Sequence, residues 1–166
     1  MNDPSIAIAP ATAADVPLVL VLIRALADYE RLAHEVTATE DLLRETLFGP
    51  QPAAEAIIGR LDGQPAGFAL FFPNYSTFLG RTGIYLEDIF VKPEFRGRGL
   101  GEALLRHVAS LAVARNCGRF EWAVLDWNEP AIGFYRKLGA QVLEDWKICR
   151  IAGEALTQLG GGSGGS

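Results

Sequence analysis

Three glycines alternate with other residues in the stretch VKPEFRGRGLGEALL, which joins an apolar strand pattern to an amphipathic helix pattern. Gly97, Gly99 and Gly101 would let the backbone approach a ligand closely, and free N–H groups at a helix start bind anions. Arg96 and Arg98 add positive charge that suits a pyrophosphate. These residues predict either an anion-binding turn or a tight turn with two solvated arginines.

The spacing of these glycines excludes two common phosphate-binding loops. The dinucleotide fingerprint requires GxGxxG, whereas the glycines here fall as GxGxG. The NTPase loop requires GK followed by Ser or Thr, and no lysine follows Gly99 or Gly101. An anion bound at this turn is therefore held by a different kind of loop.

Two adjacent carboxylates, Glu87 and Asp88, lie in the apolar strand pattern just before this turn. On a regular strand they point to opposite faces, so each has its own apolar neighbours. The predicted neighbours are Tyr85, Ile89 and Val91 for Glu87, and Leu86 and Phe90 for Asp88. Apolar surroundings raise the pKa of a carboxyl group toward the working range of a general base. The alternative is one solvated carboxylate and one in a structural ion pair.

Three further residue types could contribute chemistry. Tyr135 lies in a short helix pattern, where it is either a core residue or a general acid with a pKa near 10. Asn128 precedes that helix, where it is either a ligand-binding residue or the N-cap of the helix. Glu30 follows Tyr29 at the end of an apolar helix and, from the pattern alone, is a solvated charge.

Composition limits the possible functions. The chain has 166 residues, enough for one domain, and its 49% hydrophobic content excludes a disordered chain. A net charge of −5 argues against nucleic acid as the main partner. No apolar run approaches the ~20 residues of a membrane helix, and no signal peptide opens the sequence, so we expect a cytoplasmic protein with reduced cysteines. His34 and His107 form no ligand set with Cys117 or Cys149, so no metal is expected.

The predicted elements alternate between strands and helices. We expect strands at 5–11, on both sides of the DGQP turn at 62–65, and at 83–91, 119–126 and 140–153, with helices at 12–30, 39–48, 99–118 and 128–139. Thr12, Thr37 and Gly118 are the expected helix ends. This order predicts an α/β (α+β) fold with a mixed, mostly antiparallel sheet flanked by helices. The tail 160–166 has the composition of a flexible linker or cloning scar.

The glycine turn resembles a known signature once its context is included. The pattern V-x-P-x-x-R-G-x-G-x-G directly after a strand is similar to the acetyl-CoA signature of the GNAT N-acetyltransferase superfamily. YLEDIFVKPEFRGRGLG and AVLDWNEPAIGFYRKLGA together resemble its diamine (spermidine/spermine) branch and the thialysine-acetylating relatives. The resemblance covers nearly the whole chain outside the tail, and it implies a single GNAT domain over residues 1–159.

The resemblance implies direct transfer from acetyl-CoA, without a metal, to a primary amine of a small cationic substrate. By this resemblance Glu87 takes the amine proton, directly or through water, Tyr135 protonates the departing thiolate, and the N–H of Ile89 or Phe90 binds the oxyanion. The implied cofactor-binding residues are Ile89, Phe90, Val91, Arg96, Gly97, Arg98, Gly99, Leu100, Gly101, Glu102, Asn128 and Tyr135. The implied substrate-binding residues are Tyr29, Glu30, Phe78, Glu87, Asp88, Trp122, Glu144 and Trp146.

The sequence departs from the pattern of this branch at two places, and other functions remain open. The segment around Glu144 and Asp145 is shorter than in the polyamine enzymes, which leaves the roles of these two residues open. Phe78 stands where those enzymes often carry a tryptophan, which shifts the expected preference away from long polyamines. The branch also implies a homodimer. Acetylation of protein or peptide amines, and CoA binding without turnover, are the alternative functions.

Overall fold

The computed structural model describes residues 3–161, which form two compact units, one ending at Ala123 and the other beginning at Val124. Five strands are present in this range: β1 Ile6–Pro10, β2 Glu55–Leu61, β3 Gln64–Ser76, β4 Arg81–Val91 and β5 Phe120–Trp122. The α-helices are α1 Val16–Tyr29, α2 Glu40–Phe48, α3 Leu100–Ala114, α4 Glu129–Lys137 and α5 Gly153–Gly160. The first unit contains the whole sheet with α1 to α3, and the second contains α4 and α5.

The sheet has the order β1-β2-β3-β4-β5. The first four strands are antiparallel neighbours, and β5 joins β4 in parallel after the crossover through α3. Asp62 and Gly63 form the β2–β3 turn with φ of 50° and 82°, the left-handed pair that matches the twist of a tight hairpin. The mixed, mostly antiparallel fold predicted from the sequence is confirmed.

Helix α3 packs against one face of the sheet at a distance set by two glycines. A Cβ added at Gly59 would lie 2.7 Å from Leu100 Cδ1, and one at Gly67 would lie 3.3 Å from Leu100 Cδ2. Leu100, the first residue of α3, is 1% exposed over these positions. The absent side chains therefore allow the start of α3 to lie close to β2 and β3, and this fixes the glycine turn that precedes the helix.

The opposite face of the sheet is covered by α1 and α2. The buried cluster on this side consists of Val16, Val19, Leu20, Leu22, Leu43, Leu47, Ile58, Phe68 and Phe90. Helix α1 follows a short 3-10 turn in which the Asp15 carboxylate accepts hydrogen bonds from the N–H and the hydroxyl of Thr12. The predicted role of Thr12 and Asp15 at this helix start is confirmed, and α1 ends at Tyr29, directly before Glu30.

Two predicted helix ends are wrong by two residues. Helix α2 is capped by Thr39, whose hydroxyl accepts the Leu42 N–H at 3.2 Å, rather than by Thr37. Helix α3 ends with Asn116 in the left-handed conformation at φ 56°, and the next N–H, that of Cys117, returns to the Ala112 carbonyl. This is the Schellman arrangement, with asparagine in the position expected for glycine. Gly118 therefore does not stop the helix.

The last predicted strand is also wrong. Residues 140–152 form no strand, and a turn closed by a hydrogen bond from the Trp146 N–H to the Leu143 carbonyl interrupts the run. A strand requires a partner, and residues 124–161 hold no second strand with which this segment could pair. Helix α5, which was not predicted, begins at Gly153 and extends through Gly160. The predicted boundary at 159 stays a prediction, and the tail 162–166 lies outside the described residues.

Candidate active site

Strand β4 carries one residue more than its antiparallel partner. Asp88 lies opposite Leu70 and Leu86 lies opposite Phe71, so Glu87 has no partner in the register of β3. This is a β-bulge, which bends the strand and redirects the side chains on each side of it. The bulge falls on the carboxylate pair that the sequence marks as candidate chemistry.

The bulge changes the predicted faces of β4. Directly opposed residues of two strands lie on one face of the sheet, so Leu86, opposite Phe71, and Asp88, opposite Leu70, lie on different faces. Tyr85 lies opposite Phe72, and the ring centroids of these two residues are 5.4 Å apart. Tyr85 therefore lies on the same face as Asp88.

The predicted grouping of Asp88 with Leu86 is therefore wrong, because the extra residue inverts the alternation. The predicted grouping of Glu87 with Tyr85 stays a prediction, since no residue of β3 lies opposite Glu87. Asp88 shares a face of the sheet with Phe90, as predicted, and this is the face that α1 and α2 cover. Glu87 at the bulge is exposed.

A third carboxylate joins this pair from α1. Burial, then the neighbouring carboxylates of Glu87 and Glu30, raise the pKa of Asp88 from its ordinary value to about 7. Burial, then Glu87, also raises the pKa of Glu30. The carboxyls of Glu30, Glu87 and Asp88 thus form a cluster, named here the acidic cluster. Within it, ionisation of one carboxyl makes ionisation of its neighbours less favourable. A cation placed among them relieves that repulsion.

Beyond the acidic cluster, β4 lacks a strand on its β5 side. The parallel pairing joins Ile84, Tyr85 and Leu86 to Phe120, Glu121 and Trp122, and in the described part of the chain it continues no further. Residues 88–91 consequently pair with β3 alone. Within residues 3–161, no strand therefore pairs with Ile89 or Phe90 on the β5 side, and this opening was not predictable from composition.

The glycine turn follows β4 through the short 3-10 helix Pro93–Phe95. Gly97 and Gly99 have φ of 77° and 85°, a conformation in which L side chains are strained. Gly99 is the N-cap of α3, so the first N–H groups of that helix follow directly. Gly101 is not left-handed, and an added Cβ would lie in ordinary contact with Val91 Cγ2 at 3.7 Å.

The charged side chains around the turn are directed differently from one another. Arg96 Nε donates to the Val91 carbonyl oxygen at 3.0 Å, and its guanidinium carbon lies 4.8 Å from the centroid of the Tyr29 ring. Glu102, in the first turn of α3, accepts from Arg106 Nε at 2.8 Å. Arg98 is exposed and borders a shallow pocket with Asp3 and Asp62. The structure therefore separates the two arginines that the sequence treats as equivalent.

The second unit holds the predicted residues of α4. Asn128 caps this helix, because its Oδ1 accepts the Ala131 N–H at 3.4 Å, which confirms one of its two interpretations. Tyr135 lies in the last turns of α4 with its ring 5.5 Å from that of Phe134. Glu144 lies 3.5 Å from Arg136, and Trp146 lies in the irregular segment 140–152.

Two predicted aromatic residues of the first unit lie apart from each other. Trp122 is the last residue of β5, directly beside Leu86, with its ring 4.9 Å from Phe120. Phe78 lies in the β3–β4 loop and is fully exposed. From Arg81 at this loop to Asp88, β4 rises on the order of 20 Å. The structure does not bring Phe78 to the acidic cluster of this chain.

Other candidate chemistry is absent from residues 3–161. In this range no three His, Cys, Asp or Glu side chains are grouped as metal ligands. Cys117 and Cys149 are free thiols. No helix there is long and apolar enough to cross a membrane.

The raised pKa of Asp88 makes the stability of the fold depend on pH. Because the folded state binds this proton more tightly than the unfolded chain, the free energy of unfolding falls as pH rises from about 4 to 7. At pH 8 the cost amounts to at most about 4 kcal/mol. We predict that Asp88→Asn flattens this decline and is more stable than the parent at pH 8, as measured by urea unfolding.

The matched control is Asp41→Asn, which removes a fully exposed carboxylate from α2. It should retain the decline of the parent between pH 4 and 7. Equal slopes for Asp88→Asn and the parent would show that the Asp88 carboxyl is not perturbed.

The chain is similar to known acetyltransferases in sequence. The acetyltransferase (GNAT) family profile matches residues 23–140. A thialysine N-epsilon-acetyltransferase of Sus scrofa is 40% identical, with 95% of this chain and 98% of that protein covered. An L-ornithine N5-acetyltransferase of Arabidopsis thaliana is 37% identical, with 90% of this chain and 85% of that protein covered. These relatives match the branch predicted from the sequence.

The fold is also found among solved structures. An integron cassette protein from the mobile metagenome of V. cholerae superposes with a TM-score of 0.77 at 26% identity, covering 93% of this chain and 97% of its own. The family profile covers most of the chain, and the two relatives are aligned over nearly their whole lengths. The chain therefore belongs to the GNAT family of acetyltransferases and is an N-acetyltransferase.

Proposed function

We propose that this enzyme transfers an acetyl group from acetyl-CoA directly to a primary amine of a small cationic substrate. The candidate substrates are diamines, polyamines and basic amino acids or their analogues, such as thialysine. The observation that carries this proposal is the acidic cluster, in which the charges of Glu87 and Glu30 act on Asp88 beside the bulge of β4. A substrate ammonium group in this cluster offsets the repulsion of three carboxylates.

The carboxylates of the cluster divide two tasks. Asp88 and Glu30, on the face covered by α1, bind the cation, and its positive charge lowers the raised pKa values so that both groups ionise. Glu87, exposed at the bulge, accepts the proton that the ammonium must lose, directly or through a water. This division follows the family resemblance, and the different exposure of the two adjacent carboxylates supports it.

The glycine turn suits the pyrophosphate of CoA. Gly97 and Gly99 are left-handed, and a Cβ added to Gly97 would meet no atom within 4 Å, so the space beside the turn is open. The N–H groups at the start of α3 follow, with Leu100, Gly101 and Glu102 contributing backbone. When bound, acetyl-CoA supplies the acetyl group and leaves as a thiolate.

The remaining roles come from the resemblance. Tyr135 on α4 donates a proton to the thiolate, and Asn128 contacts CoA in addition to capping α4. The N–H of Ile89 or Phe90 binds the oxyanion, and the absence of β5 pairing beyond Leu86 within residues 3–161 supports this role.

The names of two relatives bear on the size of the substrate. The pig relative is a thialysine enzyme and the Arabidopsis relative an ornithine enzyme, by their names. We therefore propose that short diamines and basic amino acids are preferred to long polyamines. A homodimer and a cytoplasmic location belong to the same proposal.

A panel of amines tests the proposed function. We predict that purified protein releases CoA thiol from acetyl-CoA with thialysine, ornithine or short diamines, and more slowly with spermine. Tyr135→Phe should lower kcat by roughly 100-fold or more because the leaving thiolate loses its acid. CoA binding without thiol release for any amine would contradict the proposal and favour a CoA-binding sensor. A monomer in gel filtration, with acetylation of peptides only, would favour a protein substrate.

The glycine turn yields a second prediction. Gly99→Ala forces an L side chain into the left-handed N-cap of α3, whereas Arg98→Ala removes only an exposed side chain. We predict that Gly99→Ala weakens CoA binding more than Arg98→Ala does, as measured by isothermal titration calorimetry. Gly101→Ala, where the added Cβ makes an ordinary contact, is the matched control for folding. A larger loss for Arg98→Ala would mean that charge, rather than backbone, binds the pyrophosphate.

A further inference from the structure

Arg96 belongs to the glycine turn in sequence, but its side chain lies among residues of the amine half of the site. Its Nε donates to the Val91 carbonyl at 3.0 Å, so one N–H of the guanidinium is engaged by the end of β4. The guanidinium carbon lies 4.8 Å from the Tyr29 ring centroid and 5.4 Å from the Phe90 ring centroid. Both distances are within the range of a cation–π interaction.

These contacts join two elements that carry the acidic cluster. Tyr29 is the last residue of α1 and directly precedes Glu30. Phe90 lies on the same face of β4 as Asp88, two residues away, and its ring centroid is 6.5 Å from that of Tyr29. A single guanidinium therefore connects the end of the helix that bears Glu30 to the strand that bears Asp88.

We infer that Arg96 is a positioning residue for the amine substrate, connecting the end of α1 to β4 so that Glu30 and Asp88 face one cation. This inference rests on the proposed function. It assigns to the arginine of the glycine turn a role in amine binding that differs from the charge it adds near the pyrophosphate. A change in the cofactor turn would then be transmitted to the acidic cluster through this side chain.

The groups around Asp88 determine what loss of Arg96 should do. Glu30 acts on Asp88 from the end of α1 and Glu87 from the same strand, while Leu70 lies opposite on β3. The Arg96 guanidinium lies over the Phe90 ring, and its charge is not among the causes of the raised Asp88 pKa. If the end of α1 moves away from β4, Asp88 becomes better solvated and loses the repulsion of Glu30. Both changes lower its pKa, so its titration moves to a pH below 7.

Arg96→Met tests the inference, because methionine keeps much of the length but neither the charge nor the planar donor. We expect the KM for the amine to rise about tenfold, the KM for acetyl-CoA to stay within about twofold, and the acid limb of the rate profile to move to lower pH. Arg98→Met is the matched control in the same turn. It should leave the KM for the amine unchanged and raise only the KM for acetyl-CoA.

A titration of the Asp88 carboxyl by ¹³C NMR provides a readout that does not require turnover. In Arg96→Met the midpoint should fall below that of the parent, and Tyr29→Leu, which removes the ring under the guanidinium, should have the same effect. An unchanged midpoint in both variants, or equal rises of the two KM values in Arg96→Met, would overturn the inference. Absence of turnover in the parent with every amine would instead reject the proposed function, while the NMR result would still decide the role of Arg96.

Discussion

The extra residue at Glu87 in β4 determines which side chains reach each face of the sheet. Without it, Asp88 would share a face with Leu86. With the bulge, Leu86 lies opposite Phe71 while Asp88 lies opposite Leu70, on the face that α1 covers. Burial then raises the pKa of Asp88, and the unpaired Glu87 is left exposed at the bend. One inserted residue thus separates two adjacent carboxylates into a half-buried group that suits cation binding and an exposed group that suits proton transfer.

The same strand connects the amine half of the site to the cofactor half. Its pairing with β5 ends at Leu86, so the segment that follows has backbone unpaired by any strand on that side within residues 3–161. Its end leads into the turn whose left-handed Gly97 and Gly99 start α3. The close packing of α3 at Gly59 and Gly67 keeps this turn in place. This arrangement suits the proposed reaction. Along one strand it places, in order, carboxylates for the amine, backbone for the oxyanion and a turn for the pyrophosphate.

Turns and helix caps that depend on neighbouring residues could be predicted from the sequence. Features that depend on the pairing of distant strands could not. The left-handed glycines, the Asp62–Gly63 turn and the Asn128 cap follow from single residues and their neighbours, and all three are present. The bulge was not predictable, since only the register with the partner strand reveals the extra residue. Thr37 and Thr39 offer the same hydroxyl two residues apart, so packing alone selects the cap. The segment 140–152 has a strand-like composition but no strand to pair with in residues 124–161.

The central claim is that the carboxylates of β4 receive the amine, and the pH dependence of catalysis tests it most directly. The measurement is kcat/KM for the amine from pH 5 to 9, for the parent and for Asp88→Asn. With a carboxyl whose pKa is about 7, the parent should rise through neutral pH as Asp88 ionises. Asp88→Asn should lose that rise and stay below the parent at pH 8. The same rise with an unchanged midpoint in Asp88→Asn would contradict the claim, because the group that controls amine binding would then lie elsewhere.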